Sequence, residues 1–151
     1  MENTTLISGS SNIELSRGIA NDLNVKLVPC TLGKFKNGET RIEIDENIRN
    51  KKVVIIQSGY TNVLDMSVND IVMETILLID ACRRSAAKYI TLVMPSYLYA
   101  RQDRKDSSRV PISASTIANL LETVGVNRVV CMDLHSPQIQ GFFKCSVDNL
   151  Y

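Results

Sequence analysis

The segment YITLVMPSYLYARQDRKDSSRVPISA, residues 89–114, decides the expected fold. Its first part, residues 89–94, is a continuous apolar run of the kind that forms buried parallel strands, and Pro95 follows it. Its second part, residues 99–114, is polar. The positively charged side chains of that part are Arg101, Arg104, Lys105 and Arg109. Ligands of α/β proteins bind where such loops leave the carboxyl ends of strands. The loop is therefore either an anion-binding segment or an ordinary solvated surface loop.

Strands and helices alternate along the chain from residue 53 onward. We predict strands at residues 53–57, 89–94 and 128–132, and helices at 69–86 and 113–123. Gly125 is the expected end of the second helix. This alternation implies right-handed crossovers between parallel strands, with helices covering the sheet. We therefore expect an α/β fold with a mainly parallel central sheet and flanking helices, formed by residues 1–151 as one domain.

The first third of the chain contains shorter elements. We predict strands at residues 5–7, 25–28 and 40–44, and a helix at 13–23. Ser11 or Asn12 is the expected amino-terminal cap of that helix, and this role suits residues 8–11 better than a Walker phosphate loop, which would need a Lys. Residues 34–38 read as a polar turn, with a projecting β-hairpin as one possibility.

Composition excludes several classes of function. The chain has 151 residues and a net charge of +1, which gives no reason to expect a nucleic acid or an anionic membrane as a partner. Four cysteines without a C-x-x-C pair and a single histidine argue against a zinc site. The amino terminus lacks the features of a secretory signal, and the apolar runs are too short to cross a membrane. We expect a reducing, cytoplasmic location.

One histidine stands where a ligand site is expected. His135 follows the predicted strand at 128–132 and lies two residues after Asp133, so the two side chains can point the same way in an extended segment. An oxygen and a nitrogen ligand there would help to place a divalent cation. The alternative is a hydrogen-bonded structural histidine. Phe35, an aromatic residue on a polar turn, either is exposed for binding or folds back onto the core.

Five short motifs resemble one family in the same order along the chain. They are SGSSN at 8–12, KFKNGET at 34–40, NDIVME at 69–74, YARQDRK at 99–105 and MDLHSPQIQGFF at 132–143. The chain resembles the amino-terminal half of the ribose-phosphate pyrophosphokinases, also called phosphoribosyl pyrophosphate synthetases. The resemblance implies a phosphoribosyltransferase-like amino-terminal domain, with the second, ribose-phosphate-binding domain absent from residues 1–151. The loop at 58–67 is several residues longer than the family pattern.

The resemblance also implies an activity. Members of the family transfer the β,γ-diphosphate of ATP to the C1 hydroxyl of ribose 5-phosphate, with Mg²⁺, and form AMP and phosphoribosyl pyrophosphate. The second domain binds ribose 5-phosphate and supplies the catalytic Lys and Arg, so we expect no catalytic residue in this chain and no activity from it alone. One alternative is a non-catalytic regulatory subunit that assembles with full-length synthetase. Another, a small unrelated nucleotide-binding module, is disfavoured by the first and last motifs.

Site residues follow from the same resemblance. ATP would be bound by residues of two neighbouring subunits: Phe35, Asn37 and Glu39 from one, and Arg101, Gln102, Asp103 and His135 from the other. Mg²⁺ would be bound by Asp133, His135 and Asp148, and a regulatory phosphate or ADP by Arg49 and Arg109. The expected assembly is a homo-oligomer, a dimer or hexamer, or a complex with full-length subunits.

Overall fold

The computed structural model describes residues 3–60, 63, 65–132 and 134–151. Five strands form one sheet: β1 Thr4–Ser8, β4 Lys52–Ile56, β5 Tyr89–Val93, β6 Arg128–Met132 and β7 Ser146–Leu150. Their order in space is β1-β4-β5-β6-β7, and every neighbouring pair is parallel. The prediction of an α/β fold with a mainly parallel sheet is therefore confirmed.

Within the described residues, three α-helices cover this sheet. They are α1 Ile13–Leu23, α2 Val68–Arg84 and α3 Ser113–Val124. The larger apolar core joins α2 and α3 to the sheet through side chains such as Ile71, Leu92 and Ile117, whereas a smaller cluster of Leu6, Ala20 and Ile56 packs with α1. The sheet is thus buried by helices on both faces, which explains the continuous apolar runs of its central strands.

The predicted hairpin is also present. Strands β2 Cys30–Lys34 and β3 Thr40–Ile44 pair antiparallel, and β3 packs against α2. The tip lies at residues 35–39, where Phe35 N–H donates to Glu39 O at 2.8 Å and Gly38 N–H donates to Phe35 O at 2.9 Å. Gly38 has a φ of 90°, which a residue with a side chain rarely adopts. These bonds and the glycine close the hairpin with a tight turn.

The helix ends follow their sequence signals. The Asn12 side chain caps α1 by accepting from Leu15 N at 3.0 Å, and Gly125 ends α3 with a φ of 118°. At the start of α2, Ser67 and Asp70 form a reciprocal capping box. In the described part of the chain, no helix combines the length and apolar character that crossing a membrane requires.

Three features differ from the sequence prediction. The strand predicted at 25–28 is wrong: only Leu27 forms an isolated bridge to Leu6, and the strand begins at Cys30 instead. That segment runs past the edge strand β1, with Val28 N–H donating to Leu6 O at 2.8 Å, so its apolar side chains serve packing and not a ladder. The 3₁₀ helix Pro137–Phe142 and strand β7 were not predicted.

Candidate functional site

A cavity of about 710 Å³ opens at the carboxyl ends of β4, β5 and β6. Each of these strands delivers part of its wall. Gly59 and Tyr60 follow β4, residues 95–102 follow β5, and Leu134 and His135 follow β6. Carboxyl ends of parallel strands meet at one edge of the sheet, which is where ligands of such folds bind.

The loop after β5 is anchored from below. Tyr97 and Leu98 are buried, and the Tyr97 hydroxyl donates to Ala114 O at 3.0 Å while its ring meets Phe143 edge-on at 5.8 Å between centroids. Burial raises the pKa of the Tyr97 hydroxyl, which therefore stays protonated and keeps this bond. Because Tyr97 and Leu98 are fixed in this way, the residues that follow them, Tyr99 to Gln102, lie along the cavity wall.

Further hydrogen bonds fix the polar part of this loop. Gln102 accepts from Ala114 N at 3.1 Å through its backbone and from Ser113 Oγ at 2.5 Å through its side chain. Gln138 Nε2 donates to Asp103 Oδ2 at 3.0 Å, which ties the loop to the 3₁₀ helix. Arg101 and Gln102 thus share one cavity with His135, whereas the Asp103 carboxylate is engaged at its margin.

The cations of the loop remain available to a ligand. Within the described residues, Arg101, Arg104, Lys105 and Arg109 take part in no ion pair, whereas other cations such as Lys34 and Arg128 do. Arg101 alone of the four lines the cavity, where its planar guanidinium can make the bidentate contact that phosphate favours. The cavity is therefore suited to an anionic ligand.

The predicted metal ligands are only partly placed. His135 is exposed at the cavity wall, and Asp133 lies outside the described residues. Asp148 lies within β7, where its carboxylate accepts from Arg128 Nε at 2.5 Å, at the amino end of β6. The described residues contain no group of three or more His, Cys, Asp or Glu side chains arranged to hold a metal ion. The structure does not bring Asp148 together with His135.

Phe35, Asn37 and Glu39 lie at the hairpin tip. They line a separate open depression of about 580 Å³ and are all exposed. Phe35 is 53% exposed, so the alternative in which its ring folds back onto the core does not occur. The Asn37 side chain accepts from Glu39 N at 3.2 Å and shapes the turn. The tip and the 710 Å³ cavity are therefore two separate surfaces of one chain.

The two predicted regulatory arginines lie at different edges of the sheet. Arg49 precedes β4 and so stands near the amino edge, held in a turn in which Asn47 Oδ1 accepts from its N–H at 2.9 Å. Arg109 precedes α3 in the loop that leaves the carboxyl end of β5, and its φ is 64°. Both side chains belong to exposed residues. The fold does not gather them into one pocket.

Comparison with known proteins identifies the family. Residues 4–125 match the family model described as the N-terminal domain of ribose phosphate pyrophosphokinase. The chain belongs to the ribose-phosphate pyrophosphokinase family.

Two relatives show how far the likeness extends. Ribose-phosphate pyrophosphokinase A of Dictyostelium discoideum is 49% identical over 146 residues, which are 97% of this chain and 45% of that protein. The crystal structure of phosphoribosylpyrophosphate synthetase from Mycobacterium smegmatis superposes with a TM-score of 0.92 at 40% identity, over 99% of this chain and 48% of the other. The chain spans about half the length of these pyrophosphokinases.

The serine-rich turn of this pyrophosphokinase domain is built as a support. Ser10 donates to Glu74 from its backbone N at 2.7 Å and from its Oγ at 2.8 Å, and Ser11 Oγ donates to Gln57 Oε1 at 2.7 Å. Gln57 Nε2 in turn donates to Glu74 Oε1 at 2.7 Å. These donors are consumed inside the protein, and of the two predicted caps of α1 the structure uses Asn12 and not Ser11.

Some cavity residues of the pyrophosphokinase domain escaped the sequence analysis. Tyr60 is 72% exposed, and Tyr99, Met132 and Val68 are also largely exposed apolar side chains in the cavity wall. The Tyr99 hydroxyl donates to Asn69 Oδ1 at the start of α2. For Tyr60 a signal was available, because an aromatic residue on a polar loop was the pattern that singled out Phe35.

The four cysteines do not contribute reactive groups. All four are free thiols. Burial raises the pKa of Cys82 and of Cys131 to about 12, and burial is also the main reason that the pKa of Cys30 and of Cys145 is raised to about 11. They are therefore protonated at neutral pH and do not act as thiolate nucleophiles.

Proposed function

We propose that this chain is the ATP-binding, amino-terminal half of a ribose-phosphate pyrophosphokinase. The whole protein would transfer the β,γ-diphosphate of ATP to the C1 hydroxyl of ribose 5-phosphate, forming AMP and phosphoribosyl pyrophosphate. Residues 1–151 would be one domain, and ribose 5-phosphate would bind to a second one. The observation that carries the proposal is the cavity in which Arg101, Gln102 and His135 meet, in a chain that matches this family over residues 4–125.

Three residues of the loop after β5 have distinct tasks in this proposal. Arg101 pairs with phosphate oxygens, and its planar fork both holds and orients them. Gln102 faces the nucleotide from a backbone that α3 fixes, and Asp103 keeps the loop against the 3₁₀ helix through Gln138. Binding a triphosphate at such a fixed loop places its phosphates without further ordering of the chain.

Mg²⁺ fits the donors only as an ion shared with the nucleotide. It is usually held by one or two protein groups together with phosphate oxygens and water, and His135 and Asp133 at the end of β6 would be those groups. When bound, Mg²⁺ neutralises phosphate charge during the transfer. Asp148 stays a predicted ligand that would first have to release Arg128.

Adenine would be recognised by a second copy of the chain. The hairpin tip and the cavity are separate surfaces, which agrees with a site completed by Phe35, Asn37 and Glu39 of a neighbour. An exposed ring can stack on the base, while an amide and a carboxylate read its polar edge. A homo-oligomer, a dimer or hexamer, is therefore part of the proposal.

Regulation and location complete the proposal. Arg49 and Arg109 would bind inorganic phosphate or ADP as effectors, and their places at different edges of the sheet favour a site between subunits. A cytoplasmic location accords with four free cysteines in a reducing compartment.

Calorimetry and a coupled assay test the function. The purified 151-residue chain is expected to bind Mg–ATP and to form no phosphoribosyl pyrophosphate from ribose 5-phosphate, since the catalytic Lys and Arg are expected in the second domain. The same chain joined to the second domain of a relative is expected to turn over. Lack of ATP binding at millimolar nucleotide contradicts the proposed site. Turnover by the chain alone, after host enzyme is removed, contradicts the assignment of the catalytic residues to the second domain.

A further inference from the structure

The edge strand β7 reaches the segment that carries His135. In the register between β6 and β7, Cys131 lies opposite Asn149 and Met132 opposite Leu150. Asn149 thus stands beside the carboxyl end of β6, where the chain turns into the cavity wall. Leu134 is 8% exposed and directly precedes His135, and both line the cavity. A contact that fixes the Leu134 backbone therefore also fixes the backbone from which the His135 side chain extends.

A single side chain makes that connection. Leu134 N–H donates to Asn149 Oδ1 at 3.2 Å. An N–H group can pair only with the oxygen of the amide, so this bond determines which way the Asn149 amide faces. The amide nitrogen, Nδ2, is then buried and has no hydrogen-bond partner within the described residues.

Among the described residues, the Asn149 amide is used through its oxygen, as the acceptor for Leu134 N–H. A buried amide donor without a partner destabilises a fold, and an apolar residue of the same size would avoid that cost. Such a residue would leave Leu134 N–H without its acceptor, and the segment before His135 would lose its tie to the sheet. An oxygen acceptor of this reach is what the position supplies.

We propose that Asn149 is a positioning residue for the Mg–ATP site, acting through Leu134 to hold His135 at the cavity wall. The inference rests on the proposed function. Residues that orient a metal ligand without touching the metal commonly change affinity by about 10–100-fold when removed. Asn149→Ala is therefore expected to weaken Mg–ATP binding by about 10–100-fold.

Nuclear magnetic resonance separates positioning from stability. His135 is the only histidine, so its ring gives one signal, and the Leu134 amide reports its own hydrogen bond by hydrogen exchange. In Asn149→Ala we expect faster exchange at Leu134 and a displaced His135 signal without ligand. Asn149→Asp keeps an oxygen acceptor, so it is expected to restore most of the slow exchange at Leu134 and most of the original His135 signal position. Val147→Ala, on the same strand and the same face, is expected to lower stability without moving His135.

The outcomes distinguish the two levels of the argument. If Mg–ATP does not shift the His135 signal of the unaltered chain, the proposed function itself fails. If it does, but Asn149→Ala keeps both the His135 signal and the affinity, the positioning role is overturned. Equal effects of Asn149→Ala and Val147→Ala on His135 overturn it as well. If Asn149→Ala does not fold, Asn149→Ser replaces it. Loss of Leu134 protection with unchanged Mg–ATP affinity in that variant overturns the positioning role. Loss of both the protection and the affinity supports it.

Discussion

At the scale of single residues, Gly9 shows how closely the turn after β1 is packed. A Cβ at this position would lie 2.2 Å from Gln57 Oε1 and 2.3 Å from Gln57 Cδ. Gln57 is 1% exposed and holds Ser11 and Glu74 through hydrogen bonds, so it cannot move away without breaking them. Only a glycine leaves room for this buried polar network.

Gly9→Ala is therefore expected to lower the free energy of unfolding by about 1–3 kcal/mol, as overpacking of a filled core does. Gly18→Ala is the matched control, because nothing lies within 4 Å of its new methyl group and the position is inside helix α1. There alanine is expected to stabilise by about 0.5–1 kcal/mol. Urea unfolding measures the stability of both variants. Equal midpoints for Gly9→Ala and Gly18→Ala would contradict the close packing at Gly9.

Some residues around the cavity could be predicted from the sequence, and others could not. His135 was predictable because its place just after a strand is a local property. Asn149 was not, because its proposed role depends on a contact with Leu134, 15 residues earlier in the chain. Phe35 was left undecided between core and surface from the residues alone, and its 53% exposure settles that question.

At the scale of elements, predictability followed the strength of local signals. Helix α1 and strand β3 were predicted with their observed ends, because an Asn cap and strict alternation mark them. Strand β7 was missed since it is a partly exposed edge strand of polar sequence, SVDNL, whose place depends on its register with β6. The strand predicted at 25–28 failed because apolar residues there pack against β1 without extending its ladder.

Among the described residues, one ion pair links the hairpin to helix α2, in addition to the packing of β3. Lys34 Nζ lies 2.8 Å from Asp70 Oδ1, and Asp70 also belongs to the capping box of α2. The hydrogen bond from Lys34, with a second from Ser67, holds the pKa of Asp70 well below its ordinary value. A lowered pKa means that the pair contributes fully at neutral pH, and that this contribution is lost progressively as the pH falls from the ordinary aspartate pKa through the lowered one.

Lys34→Ala is expected to release the hairpin tip with little change in the unfolding midpoint, because β3 still packs against α2. Amide hydrogen exchange at residues 35–39 should become faster, and the Asp70 pKa should return toward its ordinary value. Arg41→Ala is the control, since the Arg41–Glu43 pair lies within β3 and does not reach α2. Carbon-13 titration of the Asp70 carboxyl measures the pKa, and an unchanged value would contradict the anchor.

At the scale of the whole molecule, the placement of the binding groups matters more than their identity. Phe35, Asn37 and Glu39 occupy one surface, and Arg101, Gln102 and His135 line another. If the two surfaces that contact one ATP belong to different chains, as proposed, an isolated chain offers only half of the contacts. Affinity for ATP should then rise with association of the chain, because ligand binding and assembly are thermodynamically linked.

Mixing two variants tests this sharing directly. Phe35→Ala is expected to weaken ATP by about 1 kcal/mol, the worth of aromatic stacking, and Arg101→Ala by about 1.5–3 kcal/mol, the worth of a charged hydrogen bond. In an equal mixture, some interfaces pair the intact Phe35 of one variant with the intact Arg101 of the other. About a quarter of the sites should regain full affinity if chains assemble at random in a symmetric oligomer.

Calorimetry on each variant and on the mixture gives the answer, at a concentration where sedimentation shows an oligomer. A shared site predicts a high-affinity fraction in the mixture that neither variant shows alone. A site contained in one chain predicts the plain average of the two variants, because every chain is then defective by itself. That average, or equally tight binding of ATP by a proven monomer, would exclude the shared site.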